Sequence, residues 1–132
     1  MIRMRQGTYS ATMNAVAFSY SFSEPNALIL EGGWLAGGGP GTCLSRVEDP
    51  TLTILDGSNT RRVLNVYGFA GGGDVTLRNF TVRNGFSTSD PGGVKVGGAA
   101  GYAGNVVVER LLIHSNTGFI GAGINGGSDG GT

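Results

Sequence analysis

The chain has 132 residues, nine basic and nine acidic, 39% hydrophobic side chains, and 26 glycines against four prolines. Zero formal charge gives no field to draw nucleic acid or an anionic membrane, and no apolar run approaches the roughly 18 residues of a spanning helix. Glycine without a Gly-X-Y period and with scarce proline excludes collagen, while short Val/Ile/Leu/Thr runs between the glycine clusters exclude a disordered chain.

The start, Met1-Ile2-Arg3-Met4-Arg5-Gln6-Gly7, carries basic residues with no apolar stretch behind them, so no secretion signal is expected. Residues 9–23 are the nearest thing to a helix, since Met13-Asn14-Ala15-Val16-Ala17-Phe18 could make a turn or two. Alternation in Phe18-Ser19-Tyr20-Ser21-Phe22 argues instead for a strand ending at Glu24-Pro25-Asn26. Short strands then follow at Leu28-Ile29-Leu30-Glu31-Gly32-Gly33, Leu52-Thr53-Ile54-Leu55-Asp56-Gly57, Val63-Leu64-Asn65-Val66-Tyr67-Gly68 and Val75-Thr76-Leu77-Arg78-Asn79-Phe80. Further strands are Gly93-Val94-Lys95-Val96-Gly97-Gly98 and Val106-Val107-Val108-Glu109-Arg110-Leu111, with Gly123-Ile124-Asn125-Gly126 resuming the pattern. Cys43 is the only cysteine, which excludes an internal disulfide and a cysteine-built zinc site. It reads as a passive small residue, with an intermolecular bridge as the alternative.

The strands repeat. Those starting at Leu28, Leu52, Val75 and Val106 align at spacings of 24, 23 and 31 residues. Phe80-Thr81-Val82-Arg83-Asn84-Gly85 also sits over Leu111-Leu112-Ile113-His114-Ser115-Asn116 at an offset of 31, and Val63 over Gly93 at 30. Strands of four to six residues cannot bury a face alone, but parallel copies stacked about 4.8 Å apart share one core. Asp56-Gly57-Ser58-Asn59, Gly71-Gly72-Gly73-Asp74 and Asn84-Gly85 supply positive-φ corners. Helical repeats fail for want of an i, i+3, i+4, i+7 stripe. A β-sandwich would show hairpin signals instead of repeats in parallel register.

In this order the segments resemble extracellular bacterial right-handed parallel β-helix proteins related in fold to pectate lyases, many of them surface proteins of unassigned activity. The resemblance rests on Gln6-Gly7-Thr8-Tyr9, Leu28 to Trp34, Ser45-Arg46-Val47-Glu48-Asp49-Pro50 leading into Thr51 to Gly57, Arg62-Val63-Leu64 and Val75 to Gly85, and spans residues 2–126. It implies an all-β, right-handed parallel β-helix of about four to five coils, with an extracellular or cell-surface location. The hand comes from the resemblance, because periodicity does not fix it. One domain is expected over residues 1–132, with a first coil or cap at 1–26, repeating coils at 27–126 and a glycine-rich tail at 127–132. Family members are usually several times longer, so the chain reads as a truncated member whose exposed coil ends favour homo-oligomers.

Stacking in this register places Ile29, Thr53, Thr76 and Val107 in one solvent-side column and Glu31, Leu55, Arg78 and Glu109 in the next. Arg78 then lies one coil from Glu109, and Arg83 lies over His114. These four are the candidate ligand-binding residues, set against plain cross-strand pairing worth roughly 0.2–1 kcal/mol. Asp56, Asn79 and Arg110 are expected at one corner, where Asn79 could join an amide ladder. Asn79-Phe80-Thr81 matches the glycosylation sequon, but Phe80 should be buried.

The resemblance also raises polysaccharide lyases and glycoside hydrolases. Hydrolysis needs two carboxylates about 5–9.5 Å apart, and a lyase needs an acidic calcium cluster with a basic proton acceptor. The acids are scattered, and the Asn-Thr-Asp, Asp-Asp and Gly-His-Gly motifs of polygalacturonases are absent. Gly37-Gly38-Gly39 and Gly71-Gly72-Gly73 lack the Gly-Lys-Ser/Thr of a phosphate loop. A flat-surface binder would need a threonine column, which Ile29 and Val107 interrupt. No catalytic, cofactor or metal residue is assigned. The expected role is a non-catalytic structural or ligand-binding β-helix, with copies of itself and a polysaccharide as partners and neither nucleic acid nor a membrane span. The alternative is a fragment of a polysaccharide-active enzyme.

Overall fold

A computed structural model describes residues 1–10, 16–36 and 43–129. Residues 13–15, 37–39 and 130–132, to which the sequence reading also refers, lie outside this set, as does the Cys43 side chain. The described chain is all-β: β1 (Ile2–Arg5), β2 (Gly7–Ser10), β3 (Val16–Phe22), β4 (Leu28–Ala36), β5 (Cys43–Arg46), β6 (Thr53–Asp56), β7 (Arg62–Gly68), β8 (Val75–Arg83), β9 (Val94–Ala99), β10 (Val106–His114) and β11 (Ile124–Asp129). A 3-10 turn covers Pro50–Leu52, capped by Asp49, whose carboxylate accepts from the Thr51 N–H. Among the described residues no helix is long and apolar enough to cross a membrane. Val16 to Phe18 are strand, as the alternating pattern of this stretch required.

Among the described residues every strand pairing is parallel except β4 with β5. Parallel neighbours cannot be joined by a tight hairpin, so the chain returns to the same edge only after visiting the other sheet. The pairings fall into three columns. In the first, Ile2 lies beside Leu30, Leu30 beside Leu77 and Leu77 beside Val108. In the second, the sequence Thr8, Ile54, Thr81, Leu112 runs across β2, β6, β8 and β10. The third runs Phe18, Leu64, Val94, Ile124 through β3, β7, β9 and β11.

The segment Leu52 to Gly57 therefore does not sit between Leu28 and Val75, as the sequence alignment had it. Leu28 pairs directly with Val75, 47 residues on, and β6 belongs to the second column. Two hexamers of alternating apolar residues closing on glycine look alike whichever column holds them. The excursion through β5 and the 3-10 turn also hides the true period, since the next step, Val75 to Val106, is 31 residues. Thr53 and Leu55 are consequently not solvent-side: both are buried. The second column's outer position is held by Ile54, Thr81 and Leu112, and the Thr81 hydroxyl donates to the Pro50 carbonyl of the excursion.

The first two columns belong to one strongly curled sheet, because β8 pairs with β4 along Val75 to Arg78 and with β6 along Thr81 to Arg83. The bend falls on Asn79, at φ 62°, and recurs in β10 at Arg110, at φ 47°. Gly32 holds the matching place in β4, and a Cβ there would run into the Asn79 carbonyl oxygen. Thr53 locks the same corner: its hydroxyl donates to the Arg5 carbonyl at 3.0 Å and accepts from the Gly33 N–H at 2.8 Å. Inside, Leu30, Leu77, Leu55, Phe80, Leu64 and Val94 meet in one apolar cluster.

Burial falls off along each column. Leu77 is fully buried, whereas Val108, next in the same column, is 43% exposed. Leu77→Ala should therefore cost about 2–5 kcal/mol of unfolding free energy. Val108→Ala, in dilute solution, should cost under about 1 kcal/mol, both measured by urea titration. Equal costs would contradict this register.

Candidate functional site

The charged side chains of the first column form a ladder. Arg3 stands beside Glu31, Glu31 beside Arg78 and Arg78 beside Glu109, so sign alternates over four successive strands. Glu31 was expected on the solvent side, yet its side chain is 2% exposed. The Arg78 Nε lies 2.6 Å from its Oε1, the Arg46 Nη1 lies 3.1 Å from the same oxygen, and the Trp34 indole N–H donates to its Oε2 at 3.1 Å. Oε1, Nε and Nη1 are sealed from solvent with only one another as partners. The Arg3 guanidinium covers the Trp34 ring at 4.2 Å from its centre. Glu31 is buried because β4 runs on to Trp34 and β5 turns back, bringing Arg46 over it.

Arg78 and Glu109 are thus neighbours in register, as the repeat implied, but Arg78 is turned to the preceding strand. Glu109 has no ion-pair partner among the described residues and is exposed. Glu48, missed by sequence reasoning, ties the excursion down: it takes Arg46 at 2.7 Å and Arg110 at 2.9 Å. Arg46 is two residues away, whereas Arg110 lies in β10, and no local pattern signals that pairing.

The same preference for the preceding pass recurs in the second column. Arg83 stands beside both Asp56 and His114, and its Nε pairs with the Asp56 Oδ2 at 2.8 Å. His114 instead has its Nδ1 3.0 Å from the neighbouring Ser115 hydroxyl. Asp56 does not share the corner of Asn79 and Arg110; it ends the second column, beside Arg83. There it also accepts from the Ser58 N–H at 2.8 Å and the Asn84 amide at 3.0 Å. Asn79 makes no amide ladder, because the places before and after it are Gly32 and Arg110. Its amide donates to the Gly32 and Val47 carbonyls at 2.9 and 2.8 Å, tying the excursion to the bend. Phe80 is fully buried, as expected, and so is Asn79, which removes the sequon from solvent.

A third clamp, also unforeseen, lies outside the third column: Asp90 holds Arg62 at 2.6 Å and Lys95 at 3.3 Å. Burial on its own would raise the Asp56 and Asp90 pKa values. Hydrogen bonds from Ser58, Arg83 and Asn84 to Asp56, and from Arg62 and Lys95 to Asp90, together with the facing cations, outweigh it and hold both carboxyls below their ordinary range. No three of His, Cys, Asp and Glu come together to hold a metal ion among the described residues.

One concavity among the described residues is apolar. About 430 Å³ opens between β1, β2 and β3, walled by Ile2, Met4, Tyr9 and Phe18 and floored by Leu30 and Leu64. It is the uncovered end of the core, without convergent polar groups. Comparison with protein-family models, with curated proteins and with solved structures gives no match to this chain.

Arg78→Ala leaves a sealed carboxylate short of one donor and should cost about 1.5–3 kcal/mol, while Glu109→Ala should stay within about 0.5 kcal/mol. Thermal melts of both variants check this. For Asp56 and Asp90 the folded carboxyls bind protons less readily than the unfolded ones, so stability is fully present above about pH 4 and is lost as pH falls through the lowered folded values. Melting temperature should therefore drop as pH falls below about 4, and Asp56→Asn should flatten that slope. An unchanged slope in the variant would remove Asp56 from the account.

Proposed function

We propose that the chain is four coils of a right-handed parallel β-helix and works as a non-catalytic structural module, presenting a rigid surface and associating through it, outside the cell or at its surface. The hand and the location come from the sequence resemblance. Support for the coil reading lies in the three-column order, which the chain visits in the same sequence at each pass: β1, β2, β3; β4, β6, β7; β8 with its two halves, then β9; β10 with its two halves, then β11.

The observation that carries the non-catalytic reading is what the carboxylates do. Glu31, Glu48, Asp56 and Asp90 are each held by arginine or lysine, and Asp74 accepts the Asn105 N–H at 2.7 Å. A general acid needs a pKa raised toward the working pH; Asp49, Asp56 and Asp90 are shifted the other way. These groups join successive coils or fix turns, which is structural work.

The test is reducing-sugar release and unsaturated-uronate absorbance over a panel of neutral and acidic polysaccharides, with and without calcium. No turnover on any member is expected. Turnover of a single substrate, lost on replacing Asp56 or Asp90 by Asn, would overturn the non-catalytic reading.

A further inference from the structure

The face made by β1, β2 and β3 and the face made by β10 and β11 have no strand partner among the described residues. Both are apolar. Ile2 and Tyr20 on the first are 44% and 43% exposed, and Val108 and Ile124 on the second are 43% and 40% exposed. Unpaired strand edges beside exposed core are a template for another chain.

From the charge ladder we infer that the occupant is a second copy of this chain, stacked head to tail, with the β1–β2–β3 face of one copy on the β10–β11 face of the next. This rests on the β-helix reading above. Sign runs Arg3, Glu31, Arg78, Glu109 from the first face to the last. Continued by one step in the same register, Glu109 meets Arg3 of the next copy, and the alternation carries on unbroken. Face-to-face stacking of like ends would bring arginine to arginine or glutamate to glutamate.

The inward residues agree with the same step. It sets Ile2 of the next copy on Val108, Phe18 on Ile124, and the large Tyr20 on Gly126, because β1 and β3 hold the same register places as β10 and β11. Those side chains would close the apolar cavity of about 430 Å³ at the first face. The two faces differ, so the contact is heterologous and does not close on itself; it extends into open rods.

Sedimentation velocity of the 132-residue chain across micromolar concentrations tests this. Growth of the weight-average sedimentation coefficient with concentration is expected. Glu109→Arg sets arginine against Arg3, and Arg3→Glu sets glutamate against Glu109, so each variant alone should associate about tenfold more weakly. Mixed in equal amounts the two variants restore opposite charges at every junction, and association should return. Head-to-head stacking instead predicts no loss in either variant alone, because each like-end junction would keep like charges as in the unaltered chain. Circular dichroism melts accompany each sample, and the milder Glu109→Gln should weaken association severalfold if a reversed charge impairs folding. A chain that keeps a cooperative β melt yet stays monomeric, or a mixture that does not recover, would overturn this inference and leave the fold reading standing. Turnover of a polysaccharide would strike the proposed function instead.

Discussion

Parallel hydrogen bonding between successive passes is the constraint on which everything else depends. A pass contributes only two or three inward side chains per column, too few to exclude water alone, and its backbone groups have no partner within the pass. Stacking solves both problems at once: Leu77 and Phe80 are fully buried because a pass lies on each side of them. The same constraint explains why the first and last passes are the most exposed, since each has one neighbour where interior strands have two.

The ion pairs follow the stacking axis. Arg78 and Arg83 each have a register neighbour on both sides, and each turns to the carboxylate of the preceding pass, Glu31 or Asp56. Glu31 is the costlier case, because a sealed carboxylate must recover its lost hydration from its partners. Two guanidiniums and the Trp34 indole do so, and one of them, Arg46, comes from the excursion. Burying this charge fixes where the excursion lies: a slipped β5 would leave Glu31 without Arg46. With Asn79 bonding Val47, Thr81 bonding Pro50 and Arg110 bonding Glu48, the excursion is held over the bend between the first two columns at several points.

Much of this was legible in the sequence, and the gaps have physical causes. The offsets of 31 between β8 and β10 and of 30 between β7 and β9 were readable because these passes differ little in length. They also placed Arg78 by Glu109 and Arg83 by His114. Leu52 to Gly57 was misplaced because period-two alternation marks an inward face without saying which column it serves. The burial of Glu31 was invisible for a related reason: its cover comes from residues folded back from beyond Ala36, and no local pattern reports a lid. Asp90 gripping Arg62 and Lys95 joins residues 28 and five positions apart, with no repeat to signal it. For the candidate site, the sequence located the neighbours and the structure decided their pairing.

Nuclear Overhauser contacts between backbone protons of isotope-labelled chain test the central claim most directly. Contacts linking Ile29 to Thr76 to Val107, and Ile54 to Thr81 to Leu112, are the expected result, since these are the register partners of the first two columns. Contacts of Thr53 with Ile29 and Thr76, or antiparallel patterns between β8 and β10, would contradict it.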